Sequence, residues 1–150
     1  MASRRAAHLG AALVCAILVG CAGPTIRDSA VHSQAQKSAD AMVSELRTVR
    51  LAVRGLQDDK LWWRYADRMV TDSEEAATTI EATFTSRQPP SQESKSAYDE
   101  VSKQLSDAAD LVVSLRVAVR LHDEGEIRSL EPEIAKAADD LERLAERVAP

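Results

Sequence analysis

The chain has 150 residues, 45% of them hydrophobic but only 3% aromatic, with two cysteines and a formal net charge of −5 at pH 7. A chain of this length can bury one core by packing alone. Its acidic balance excludes the bulk positive field that draws a protein to nucleic acid, so no nucleic-acid partner is expected.

In chain order, Arg4 and Arg5 come first, followed by an uncharged stretch from Leu9 to Gly20 that contains no proline. A basic segment and then an apolar one is the order of an export signal. The stretch is about half the ~20 residues that a membrane-spanning helix needs. It ends Leu18-Val19-Gly20-Cys21, which resembles the lipobox of bacterial lipoproteins. The resemblance implies that residues 1–20 are a cleaved signal peptide and that the Cys21 thiol carries a diacylglycerol. Residues 21–28 then form a lipidated tether, and residues 29–150 form the folded domain. Ser3-Arg4-Arg5 hints at twin-arginine export, but Ala7 and His8 interrupt the hydrophobic part of that motif and favour the general secretory route. Localisation on this reading is exported and lipid-anchored, at the outer face of the cell membrane or, in a diderm host, at the outer membrane. Ala22, where the family associates aspartate with inner-membrane retention, favours the latter in such a host. Cys15 leaves with the leader and Cys21 takes the lipid, so the domain has neither free thiol nor disulfide. Losing Arg4 and Arg5 takes the net charge from −5 to −7.

Four long segments lie between the breakers. In the first, Ala35, Ala39, Met42, Leu46, Val49, Val53 and Leu56 recur at alternating spacings of four and three, which predicts a helix over 29–56. Gly55 can take a left-handed C′ position there, and Asp58 or Asp59 can cap the next helix, expected over 59–87. That second segment has a looser seam of Trp63, Ala66, Val70, Ser73, Ala77, Ile80 and Phe84, with Trp62, Tyr65, Met69 and Ala76 beside it. The pattern is the wide apolar face of a helix with more than one neighbour. Thr71/Glu74 and Asp72/Glu75 have capping-box spacing, but the seam holds its phase, so one helix is expected. Pro89-Pro90 ends it, and Ser91 or Ser94 can cap a third helix over 92–121, with a seam of Tyr98, Val101, Leu105, Ala108, Val112, Leu115 and Val119. The residues His122 to Glu126 read as a turn. The fourth helix, 127–148, carries Ile127, Leu130, Ile134, Ala137, Leu141, Leu144 and Val148. Pro132 belongs in a first turn, which predicts a regular start as late as Ser129.

Four helices and short connections predict an all-α, antiparallel up-down four-helix bundle. A short tether after Cys21 sets the start of the first helix near the bilayer. The loop at Gln57–Lys60 and the turn at His122–Glu126 are then distal, while Pro89-Pro90 and the C-terminus face the membrane. Arg47, Arg50, Arg54, Arg64, Arg68, Arg116, Arg120 and Arg128 all fall in the distal half, and the surplus carboxylates in the other.

Motifs of catalysis and cofactor binding are missing from the sequence. No Gly-rich phosphate loop, nucleophile elbow, His-Glu-x-x-His or Cys-x-x-Cys-His occurs, and neither His32 nor His122 sits in a Glu-x-x-His pair. No catalytic residue, metal site or cofactor beyond the diacylglycerol is therefore expected. His122-Asp123-Glu124-x-Glu126 has oxygen and nitrogen ligands for a weak divalent site, but reads first as a solvated turn. Met42 and Met69 read as core filler. Trp62 and Trp63 point about 100° apart on a helix, so one can enter the core while the other lies at its edge. With Arg47, Arg50, Arg54, Arg64 and Arg120 they form the candidate partner-binding group, tryptophan and arginine being common interface anchors. The competing interpretation has both indoles plugging the top of the bundle under arginine stems. The functional expectation is a non-enzymatic, membrane-tethered lipoprotein presenting its bundle to an envelope protein or another envelope component. The alternative is a small-ligand or metal-binding sensory bundle, in which binding shifts one helix against another.

Overall fold

A computed structural model describes residues 28–89 and 91–149, and Cys21 with the leader and tether lies outside them. Four helices form: α1 (Asp28–Gln57), α2 (Trp63–Thr85), α3 (Gln92–Leu121) and α4 (Glu124–Val148). Among the described residues there is no strand. The chain is the all-α, antiparallel four-helix bundle that the seams predict. At ~1.5 Å per residue the longest helices span about 45 Å.

Each helix packs on its chain neighbours, and α4 returns to lie beside α1. The cross-section is a rhombus, because α1 and α3 also touch across one diagonal whereas α2 and α4 do not. Alanines make the short diagonal possible: Ala35, Ala39 and Ala52 on α1 and Ala108, Ala109 and Ala118 on α3 are all buried, and small side chains let helix axes approach. Larger groups fill the rest, with Met42, Leu46, Phe84, Leu105, Leu115, Ile134, Leu141 and Leu144 fully buried. Antiparallel register shows in the ion pairs between helices. Arg54–Glu131 and Arg47–Glu142 join α1 to α4, Arg120–Asp67 and Arg116–Glu74 join α3 to α2, and Arg147–Glu100 joins α4 to α3.

The two ends are closed differently. At the Pro89 end, Ser91 caps α3 in a capping box with Ser94. There Tyr98 stacks on Phe84 at 5.1 Å and donates its hydroxyl to the Thr85 carbonyl at 2.9 Å. At the opposite, distal end, His122 takes a left-handed C-cap (φ 55°). Asp123 then caps α4 by accepting the Glu126 N–H at 3.0 Å. Only these two residues separate α3 from α4.

Three local expectations are corrected. Gly55 is not a left-handed C′ residue but an ordinary member of α1, and Asp59 carries the positive φ of 55° instead. What Gly55 supplies is space: the loop folds back so closely that Lys60 and Leu61 both donate their N–H groups to its carbonyl, at 2.8 and 2.9 Å. Second, α2 starts at Trp63 rather than 59, with Trp62 as an extended N-cap and no side-chain cap. Asp58 is engaged with Lys60 at 2.9 Å, and with the loop folded back on Gly55 the residue at the N-cap is Trp62. Third, α4 begins at Glu124 and runs through Pro132 without a break. A proline there removes one backbone hydrogen bond and costs ~3 kcal/mol. The residue is exposed, and only a continuous helix keeps Ile127, Leu130 and Ile134 buried on one face.

Candidate interaction surface at the distal end

The first turn of α2 decides what this end of the bundle presents. Because α2 starts late, Trp62 sits on extended backbone (φ −78°, ψ 143°) while Trp63 is already helical. The adjacent indoles therefore diverge. Trp62 is 72% exposed. Trp63 is half-buried against the core and stacks on His122, with ring centroids 4.3 Å apart. One indole thus plugs the bundle and the other stands on its surface.

Trp62 is not isolated. Its ring lies 6.3 Å from that of Tyr65, itself 52% exposed, and the Arg64 guanidinium carbon is 5.4 Å from the Tyr65 centroid. Arg64, Tyr65, Asp67, Arg68, Thr71 and Arg120 line an open depression of about 440 Å³ beside them. Arg68 is paired with Asp72 at 2.9 Å, while Arg120 faces Asp67 at 3.6 Å, beyond hydrogen-bonding distance. Thr71 holds a buried hydroxyl oxygen with no hydrogen-bond partner. The α2 N-terminus has neither a capping side chain nor an acidic residue in its first turn, so its partial positive charge is uncompensated.

Among the described residues, the exposed large apolar side chains are Leu51, Trp62, Tyr65, Val117 and Leu121. By register, all five fall in the distal half of the bundle, and Trp62, Tyr65, Val117 and Leu121 belong to α2, its N-cap or α3.

Of the sequence-predicted residues, Trp62, Arg64 and Arg120 come together here. Arg47 and Arg54 do not: they lie on the α1–α4 seam, where Arg47 holds Glu142 through two bonds of 2.9 and 3.0 Å and Arg54 meets Glu131 at 3.4 Å. Arg50 is half-buried on α1, its Nε enclosed without a hydrogen-bond partner. Trp63 instead walls a second cleft of about 610 Å³ between the α1–α2 loop and α4, with Leu56 and Ile127 as apolar neighbours and Asp59, Glu124 and Arg128 among its polar ones. Tyr65 is the residue missed, since its place beside the α2 seam suggests burial. Its setting between Arg64 and the Asp67-Arg68 pair is the one signal that it faces outward.

In the loop, the hydrogen bond and charge of Lys60 lower the Asp58 pKa, and Asp58 in turn raises that of Lys60. Among the described residues, no group of three or more His, Cys, Asp or Glu side chains is placed to hold a metal ion, and no helix is long and apolar enough to cross a membrane. Compared with known families, curated proteins and solved structures, the chain matches none.

Proposed function

We propose that this protein is an exported lipoprotein, held to a membrane by diacylglycerol on Cys21, whose bundle docks a partner protein or other envelope component and performs no catalysis. The observation that carries the docking role is that, among the described residues, the large exposed apolar side chains all lie in one half of the bundle, with Arg64 and Arg120 among them. Aromatic residues and arginine with nearby apolar surface are the usual anchors of an interface. The anchor rests on the resemblance of Leu18-Val19-Gly20-Cys21 to a lipobox, and two acyl chains give stable membrane attachment where one does not. Helix α1 starts seven residues after Cys21, so an upright bundle holds the Trp62 surface about 45 Å from its tether.

Two measurements test the proposal. Cys21→Ser should abolish the lipid mass increment and release the protein from the membrane fraction. A photo-crosslinking residue at position 62 or 121 should capture one discrete partner in intact cells, lost on adding Tyr65→Ala, while the same probe at position 146 near the other end should not. Retention of the Cys21→Ser protein on membranes would overturn the anchor, and crosslinks confined to position 146 would overturn the docking end. The small-ligand alternative has one observation in its favour, the cleft at Trp63. It requires a ligand that alters Trp63 emission in a Trp62→Phe background.

A further inference from the structure

The distal surface also constrains its partner's chemistry. Resting on the docking role proposed above, we infer that it receives an acidic, partly apolar segment of a partner protein, a carboxylate seating on Arg64 and an apolar side chain covering the Trp62–Tyr65 pair.

Charge complementarity carries the first half. Three guanidinium groups and one carboxylate line the depression. Arg68 is paired with Asp72 at 2.9 Å, and Arg120 with Asp67 at a looser 3.6 Å. Among the described residues Arg64 has no carboxylate partner; its neighbour is the Tyr65 ring. A guanidinium offers a rigid fork of N–H donors that matches a carboxylate in two bonds. The uncapped start of α2 lies one residue away and favours the same sign of charge.

The second half follows from the aromatic pair. Trp62 and Tyr65 expose ring surface immediately beside Arg64. Covering that surface removes apolar area from water, and it also desolvates and strengthens the adjacent ion pair. A bare polyanion supplies the charge but not the cover. An anionic bilayer fits less well than a protein segment. Adsorption to lipid sums about 1 kcal/mol per basic residue over a dense patch, whereas here Arg47, Arg54, Lys60, Arg68 and Arg116 are each already paired with a carboxylate.

The test uses the full chain and calorimetric titration with three probes: a short synthetic peptide alternating glutamate and leucine, its lysine–leucine counterpart, and vesicles rich in phosphatidylglycerol. The glutamate–leucine peptide should bind and the lysine–leucine peptide should not. Arg64→Glu should weaken the first by roughly tenfold or more and acquire binding of the second. Circular dichroism should stay unchanged, since Arg64 makes no ion pair whose loss could unfold the helix. Trp62→Ala should weaken the acidic peptide too, and Arg147→Glu at the opposite end should leave it unaltered. Binding of both peptides alike, of neither, or of vesicles alone would overturn the inference. So would an unaltered response in folded Arg64→Glu. Crosslinking from position 62 separates the two levels. A captured partner whose contacting segment is not acidic refutes this inference and leaves the docking role standing, whereas no distal crosslink refutes both.

Discussion

Gly55→Ala should destabilise the bundle even though alanine is the better helix former. In a helix interior that exchange favours alanine by up to ~1 kcal/mol. Gly55, however, is where the α1–α2 loop touches down. An added Cβ would stand 2.9 Å from Leu61 Cβ, 3.4 Å from its Cδ2 and 3.7 Å from its Cγ. The nearest of these atoms is fixed to the backbone, so no change of Leu61 rotamer relieves the clash. The loop must retreat by roughly half an ångström to reach ordinary carbon–carbon contact. It is held by two hydrogen bonds to the Gly55 carbonyl, each contributing about 1 kcal/mol net, and overpacking of this kind costs ~1–3 kcal/mol. The opposing terms exceed the helix gain, and the expected net loss is ~1–2 kcal/mol, or a Tm lower by roughly 3–8 °C. Urea unfolding followed by circular dichroism measures it. Leu61→Gly removes the colliding Cβ and should recover ~1 kcal/mol of coupling in a double-mutant cycle, whereas Leu61→Ala retains that atom and should not. A Gly55→Ala protein as stable as the parent, or equal rescue by Leu61→Ala, would refute the account. The loop leads directly into Trp62, so its displacement should also change Trp62 emission.

Leu115 is completely buried, and Leu115→Asp should cost more than ~4 kcal/mol by placing an unpaired charge in the core. A cooperative melt at an unchanged midpoint would refute its burial. Trp62→Ala should leave the unfolding free energy within ~0.5 kcal/mol of the parent. Trp63→Ala should lower it by ~2 kcal/mol or more through lost packing on the core and on His122; equal midpoints would contradict the divergence of the two indoles. The Asp140 carboxyl titrates below its ordinary value of 3.8, chiefly through the hydrogen bond from Lys136 with Arg143 adding to it. A depressed acid pKa stabilises the fold above the unfolded value and loses that contribution as pH falls through the folded one. The Asp140 side-chain NMR titration should therefore have its midpoint below 3.8, and Lys136→Met should move it upward; a midpoint at or above 3.8 in the parent would refute the pairing.

Most of the distal surface was only half legible. Adjacency of Trp62 and Trp63 on a helix required that they diverge, but not which one is exposed. That choice depends on where α2 starts, and the start is set by Gly55 accepting the folded-back loop, a contact invisible to helix-capping rules. The same limit applies to the arginines. Their clustering in one half is a property of the sequence, whereas the engagement of Arg47 and Arg54 with Glu142 and Glu131 on a seam requires α4 to lie beside α1. Among the described residues Arg64 has no such partner; its guanidinium lies over the Tyr65 ring instead.

The sequence by itself determined four helices, most of their buried stripes and a serine cap at Ser91 or Ser94. These features depend on periodicity and on side chains within one or two turns, and an apolar stripe of that width has no other stable use than burial. Tertiary structure decided the rest, including the short α1–α3 diagonal, the passage of α4 through Pro132, and the exposure of Tyr65. Each is a competition between a local preference and contacts made with residues far away in the chain. The ~3 kcal/mol cost of a helical proline is outweighed once Ile127, Leu130 and Ile134 are all buried by partners on other helices. Likewise, the apolar ring of Tyr65 stays in water because the core beneath α2 is already filled by Ala66, Val70 and the half-buried Trp63.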